Sequence, residues 1–244
     1  MNIWLILWIV LSVVLIGIFV WSNQAILDQK KAWKLFAQRH KFKYIANSFL
    51  KSPVVSKKGK ETSFQLFSEE QITSDLAKRR FTTVFEWTMP AMPINGIIAS
   101  SEMKNIVDAV NVTDRIEKPS EKWSRKDWIV VQDAEAFLPY LTEERTESII
   151  DVMQLPSVRF LFAFDTSRGV VRVETNDPLL EEKKITKIFQ TSKSCVEKLI
   201  PQDKDFEACR NILDEKAESS SLDQKNVESK SKSKGSSDTD SVDK

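Results

Sequence analysis

Few side chains in this sequence could act together as acids, bases, nucleophiles or metal ligands. His40 is the only histidine, so any histidine-based catalytic triad would have to use it. Cys195 and Cys209 form no C-x-x-C pair, and with a single histidine they do not make an ordinary zinc site. We therefore predict no catalytic residue, no metal and no cofactor, and we expect both cysteines to be buried thiols. An enzyme of unrecognised chemistry stays open, although the balance is against it.

Phosphate and nucleic-acid chemistry also lack their usual motifs. The glycines are isolated, and none begins G-x-G-x-x-G or G-x-x-x-x-G-K. The run Lys78-Arg79-Arg80 could hold a phosphate, although basic residues beside a strand more often prevent edge-to-edge pairing. The formal net charge is only +1, and the basic clusters do not alternate with aromatic residues. We expect no nucleic-acid partner.

The clearest concentration of charge lies between residues 30 and 43, where Asp28 is the only acid nearby. Basic side chains in such a cluster contribute about 1 kcal/mol each next to an anionic bilayer. We identify them as candidate contacts to lipid headgroups. They are Lys30, Lys31, Lys34, Arg39, Lys41 and Lys43.

The uncharged stretch from Ile3 to Trp21 would bring these residues to a bilayer. Fourteen of its positions are Leu, Ile, Val or Phe. As a helix it would be about 28 Å long, close to the thickness of a hydrocarbon core. No basic residue precedes it and Ser22 to Ala25 is a poor cleavage site, so we predict a retained, single-pass transmembrane anchor, with a cleaved signal peptide as the alternative. The lysines that follow predict that the bulk of the chain is cytoplasmic.

The remaining chain predicts an α+β fold, with mostly antiparallel strands and helices packed on one face. The clearest strand is Arg80 to Thr88, and Val158 to Phe164 forms a hairpin with Val170 to Thr175. We divide the chain into an anchor, a juxtamembrane helix with a first α+β half, a linker, a second α+β half and a disordered tail. The boundaries are 1–22, 23–112, 113–126, 127–216 and 217–244.

The juxtamembrane helix has one apolar face, because Trp33, Phe36, Ala37 and His40 recur at helical spacing. That face predicts packing onto the domain, while the lysines of the same helix would face lipid.

Two later helices have capping residues at their predicted starts. Thr142 is expected to cap the helix that begins at Glu143, and Asp177 the helix whose first residue is Pro178. Pro201 ends the second of these, and a final amphipathic helix follows after a short break. The short break predicts that the last two helices lie antiparallel and pack together.

The last part of the chain cannot form a core. Nine of the residues from 217 to 244 are serine, and large apolar residues are scarce. We predict a disordered tail, either without a defined role or used for phosphorylation or partner binding.

Three stretches resemble a group of uncharacterised, membrane-anchored bacterial proteins in which a helix leads into a strand pair with a glycine-containing turn. They are Trp33-x-x-Phe36-Ala37-x-x-His40-x-Phe42-x-Tyr44, then Ser52-Pro53-Val54-Val55-Ser56 with Phe64-x-Leu66-Phe67, and finally Leu141-Thr142-x-x-Arg145. The group usually has a second glycine before the turn, where this chain has Ser56-Lys57. The resemblance implies a bacterial inner-membrane protein with an α+β domain, and it implies no activity and no site residue.

Three functions follow from these patterns. The leading one is a non-catalytic interaction or scaffold module, tethered to the cytoplasmic face of the membrane, whose partners are the lipid bilayer and an unidentified protein. The alternative is a domain that binds a lipid or another small molecule at the membrane surface. An enzyme is the third.

Overall fold

The computed structural model describes residues 3–48, 51–71, 80–110, 112–117 and 119–233. The basic run at Lys78 and Arg79 and the end of the tail lie outside these residues. The elements are α1 Ile3–His40, β1 Lys43–Ile45, β2 Val54–Lys58, β3 Ser63–Gln71, β4 Arg80–Met89, β5 Gly96–Ala99, a 3-10 turn Ser101–Met103, α2 Lys104–Ala109, β6 Asp114–Arg115, β7 Trp128–Val131, α3 Ala134–Phe137, a 3-10 turn Leu138–Tyr140, α4 Glu143–Met153, β8 Val158–Phe164, β9 Gly169–Thr175, α5 Glu182–Leu199 and α6 Asp203–Ser233.

The nine strands form one sheet in the order β1-β2-β3-β4-β9-β8-β5-β7-β6, and every neighbouring pair is antiparallel. The prediction of an α+β fold with mostly antiparallel strands is confirmed. The sheet interleaves the two halves into which we divided the sequence, because β9 pairs with β4 and β5 lies between β8 and β7. One core therefore runs through both halves. The segment interpreted as a linker contributes the edge strand β6 and buries Ile116 and Trp123.

Helices cover most of one sheet face. α1 packs against α5, and α5 against α4, over the large aromatic side chains of the central strands. The predicted apolar face of the juxtamembrane helix is confirmed, since Trp33 and Phe36 have no exposed surface. The helices are not all on this face, because α2 covers a smaller cluster on the opposite side of β5 and β7.

The predicted start of α5 is wrong by several residues. Asp177 does not cap a helix at Pro178; its carboxylate accepts the backbone N–H of Leu179 at 2.8 Å, which makes a turn. Leu179 has φ of 52° and a buried side chain, so the chain reverses there before α5 begins at Glu182. By contrast, the Thr142 side chain accepts the N–H of Arg145 at 3.3 Å, and the predicted cap of α4 is confirmed.

The final helix also differs from prediction. It runs to Ser233, beyond residue 217 where the composition predicts that order ends. It packs against α3 and the following 3-10 turn rather than chiefly along α5. Both cysteines are buried thiols, as expected, and burial raises the pKa of Cys195 to about 12.

A buried ion pair fixes the turn between α5 and α6. The guanidinium of Arg145 donates two hydrogen bonds to the carboxylate of Asp205, at 2.7 and 3.0 Å, and both side chains are almost fully buried. The same guanidinium donates to the carbonyl of Lys198 at 2.9 Å, and the hydroxyl of Tyr140 donates to the carbonyl of Leu199. These carbonyls lie in the last turn of α5, where no helical N–H can reach them. Arg145 therefore supplies a donor to a carbonyl at the end of α5 and, through Asp205, fixes the start of α6.

Asp205→Ala should destabilise the domain by about 3 to 5 kcal/mol, because it leaves the Arg145 charge buried without its partner. Equilibrium urea unfolding of the full chain measures the loss, and Glu207→Ala, at an exposed position of the same helix, is the matched control. Burial opposes ionisation of Asp205, but its hydrogen bonds with Arg145 and the Gln202 N–H prevail and lower its pKa below 3.8. The contribution is therefore present at neutral pH and is lost in acid as the pH falls through that lowered value. A loss equal to that of the control would show that the pair is not a stabilising clamp.

Candidate functional site

Helix α1 has two parts with opposite surroundings. Its first part, residues 3–18, exposes nearly every apolar side chain, for example Trp4 at 68% and Trp8 at 66%. Its last part, from Gln29 onward, buries one face against the domain, and we call it the enclosed part of α1. Among the residues that the structure describes, no helix is long and apolar enough to cross a membrane.

Gln29 attaches the enclosed part to the domain through its side-chain amide. The amide N–H₂ donates to the carbonyl of Pro178 at 2.9 Å and to the hydroxyl of Ser68 at 3.3 Å. The amide oxygen accepts from the hydroxyl of Ser52 at 2.9 Å. One buried residue thus connects α1 to three separate segments of the chain, and its position fixes the helix along its own axis.

The six predicted headgroup contacts do not form one surface. Lys30 donates to the carbonyl of Ser48 at 2.8 Å, and Arg39 forms an ion pair with Glu182 at 2.7 Å. Lys41 lies beyond the end of α1 with φ of 57°, and Lys43 begins β1. Lys31 and Lys34 are exposed on the helix. The residues are spread over the last part of α1, the turn that follows it and the start of β1.

The end of α1 folds back on itself. The N–H of Phe42 donates to the carbonyl of Ala37 at 2.8 Å, and that of Lys41 to Gln38 at 3.3 Å. These two hydrogen bonds form a Schellman motif, in which a residue in the left-handed conformation, here Lys41, ends the helix. It places the Phe42 ring 5.7 Å from the ring of Phe36.

A pocket of about 230 Å³ opens beside this turn. We call it the His40 pocket. Its lining residues are His40, Phe42, Lys57, Gly59, Thr62, Phe64, Trp87, Phe189, Lys193, Val196, Glu197 and Ile200. They come from α1, the β2–β3 hairpin, β4 and α5, so the pocket exists only when the helix is docked on the sheet.

Aromatic rings make the wall of the His40 pocket. The ring of Phe189 lies 5.0 Å from that of Phe64 and 6.2 Å from that of Trp87. The imidazole of His40 lies 5.1 Å from Phe189 and 5.5 Å from Phe42. Rings at these separations attract one another beyond the burial of their area.

Burial lowers the pKa of His40 below its ordinary value of 6.5. The carboxylate of Glu182 raises this pKa, whereas the neighbouring cations Arg39 and Lys193 lower it. The imidazole is therefore neutral at physiological pH. Its Nε2 atom is buried and has no hydrogen-bond partner within the described part of the chain.

Two cations are among the lining residues of the pocket. The ammonium of Lys57 is 5.6 Å from the centre of the Phe42 ring, and among the described residues it has no carboxylate partner. Lys193 pairs with Glu197 at 3.3 Å on the exposed side of α5.

Sequence reasoning identified His40 but not the pocket around it. Phe42, Phe64 and Phe189 are ordinary apolar residues of separate elements, and nothing in their local spacing indicates that they meet. No group of three or more His, Cys, Asp or Glu able to hold a metal occurs in the described ranges.

Comparison of the chain with protein-family models, with curated proteins and with solved structures finds no match. Functional inference therefore depends on the two features just described, the exposed apolar helix and the His40 pocket.

We expect His40 to titrate below pH 6.5, since its charged form loses water in the pocket. The unfolded chain then binds more protons than the folded one in mild acid, so stability should fall as the pH drops below about 6.5. Because this histidine is the only one, its imidazole carbon resonances measure the pKa directly in the full chain. A pKa at or above 6.5 would contradict the buried environment.

Proposed function

We propose that this chain is a single-pass, membrane-tethered, non-catalytic interaction or scaffold module, with its domain at the cytoplasmic face of the inner membrane. The observation that carries the proposal is the continuity of α1, which presents an exposed apolar surface at one end and is enclosed by the domain at the other. The side chains described at the apolar end cover residues 3–18, about 24 Å of helix, and the uncharged sequence continues to Trp21.

An apolar surface of this kind is costly in water. Exposed contiguous apolar patches above a few hundred Å² mark interaction sites on soluble proteins. Residues 3–18 expose apolar side chains on all sides of the helix, which a groove on a partner protein would cover only in part. A bilayer surrounds a helix completely, and this favours lipid over a protein groove as the environment of this segment.

The helical rise refines the proposed lipid contacts. Lys30 and Lys31 follow Trp21 by about 14 and 15 Å along the axis, Lys34 by about 20 Å and Arg39 by about 27 Å. A headgroup layer extends only about 5 to 8 Å beyond the hydrocarbon core. Because Lys30 is already bonded to the domain, Lys31 is the residue of the six best placed to interact with lipid phosphates, and its backbone lies roughly 7 Å outside the headgroup layer, within about one Debye length of it.

Strand β3 extends back along α1 toward the apolar end. The ring of Phe64 contacts the ring of Phe42, which follows the last turn of α1. Four residues later in β3, the hydroxyl of Ser68 accepts a hydrogen bond from the side-chain amide of Gln29. Continuing in that direction leads to Glu70 and to its cross-strand partner Phe81, whose side chain is 58% exposed on the helix-covered face of the sheet. At about 3.4 Å per residue, Phe81 lies roughly 7 Å beyond Ser68, and Trp21 roughly 12 Å beyond Gln29. This brings Phe81 to the level of the proposed headgroup layer.

The alternative function, binding of a small molecule, is favoured by the His40 pocket. The pocket lies at the end of α1, about 28 Å along the helix axis from Trp21. That distance favours a soluble ligand over a lipid drawn from the bilayer.

The anchor is tested by depth-dependent quenching in lipid nanodiscs. A fluorophore on Ile9→Cys should be quenched by lipids labelled near the acyl-chain end, and one on Lys60→Cys, in the β2–β3 turn, should not. The buried native cysteines make the unsubstituted chain the labelling control.

The orientation is tested separately. A reporter fused after Lys244 should give cytoplasmic activity, because the lysines follow the span. An unquenched label at Ile9 would refute the anchor, and active alkaline phosphatase at the C-terminus would refute the orientation.

The position of Phe81 gives a separate prediction. A fluorophore on Phe81→Cys should be quenched by lipids labelled at the headgroup and not by those labelled deep in the chain, because aromatic side chains favour the interface. Lys60→Cys, in the exposed turn before the opposite end of β3, is the control. Equal, weak quenching at both positions would show that the domain does not approach the bilayer through this end.

A further inference from the structure

The His40 pocket has the size of a small ring compound. An apolar cavity of about 150 Å³ is enough to hold benzene. At about 230 Å³ the pocket has room for one aromatic ring with a short substituent, and it is smaller than the cavities that hold drug-sized ligands.

The wall of the pocket fits the flat face of such a ring. Phe189, Phe64 and Trp87 are packed against one another, and the imidazole of His40 continues the surface. Aromatic pairs prefer tilted or offset contacts, as Phe64 and Phe189 already make at an interplanar angle of 64°, and a ligand ring can add a further contact of this kind.

The polar groups of the pocket point to a negatively charged substituent. Lys57 and Lys193 supply two positive charges, and Glu197 is the one acid among the lining residues. Nε2 of His40 is buried without a partner, and buried polar atoms are rarely left so in folded proteins. A neutral imidazole with Nε2 protonated could donate to an acceptor in the pocket.

We propose that the His40 pocket binds a small aromatic carboxylate, with its ring against Phe189, Phe64 and Trp87 and its carboxylate directed to Lys57 and Lys193. His40 contributes the edge of its ring and an N–H donor. This site does not depend on the membrane anchor, because every residue in it belongs to the enclosed part of α1 or to the domain.

Phenylacetate is the probe. The full chain, carrying selectively labelled histidine and a purification tag without histidine, reports binding through the single imidazole. We expect a saturable shift of the His40 resonances with phenylacetate, and weaker or no shifts with 2-phenylethanol and phenethylamine, which keep the ring and change the charge. No saturable shift at millimolar phenylacetate, or an equal affinity for phenethylamine, would overturn the proposal.

Charge variants locate the carboxylate. Lys57→Gln and Lys193→Gln should each weaken phenylacetate binding by about fivefold, the size of a partly exposed ion pair. Lys58→Gln is the matched control, since it follows Lys57 in β2, points to the other sheet face and does not line the pocket. Glu197→Gln should strengthen binding, because it frees Lys193 and removes a like charge. Unchanged affinity in both Lys57→Gln and Lys193→Gln would refute the assigned orientation.

Discussion

The burial of Trp33 and Phe36 is the interaction on which the rest of the structure depends. Neither side chain has exposed surface, and together they fill the space between α1, α5 and the sheet. Removing side chains of this size from a core costs about 3 to 5 kcal/mol each, a large part of the stability of an ordinary domain. Without this contact Gln29 would lose its three partners, and the His40 pocket would lose the wall that α1 provides.

A second constraint lies at the other end of α5. Replacing a buried ion pair by apolar residues is often neutral, so Arg145 and Asp205 alone need not stabilise the fold. Arg145 does more than pair, because it also donates to the carbonyl of Lys198 in the partly buried last turn of α5, where no helical N–H can reach it. An apolar replacement would leave that carbonyl unsatisfied, at about 1 to 3 kcal/mol. The clamp holds the C-terminal end of α5, and Phe189, about two and a half turns before Lys198 on the same helix, is part of the pocket wall.

What could be predicted from sequence was local. The strand at Arg80 to Thr88, the apolar face of α1 and the Thr142 cap each depend on residues close in the chain, and the structure contains all three. The start of α5 was predicted wrongly because Asp177 has two uses, as a helix cap or in a turn, and only the burial of Leu179 decides between them. The pairing of β4 with β9 and of β5 with both β7 and β8 joins distant segments, and no local pattern encodes that order. The His40 pocket was missed for the same reason, since four separate elements build it.

The two functional features are connected through one helix. The apolar end of α1 and the His40 pocket lie on opposite ends of an unbroken helix, so the pocket is at a fixed distance from whatever surrounds the apolar end. A ligand that binds only the docked arrangement stabilises it by RT ln(1 + [L]/Kd), which reaches about 2.7 kcal/mol at a concentration one hundred times Kd. Because His40 occupies the last turn of α1, that stabilisation acts on the contact between helix and domain. A small molecule in the pocket would thus strengthen the attachment of the domain to α1.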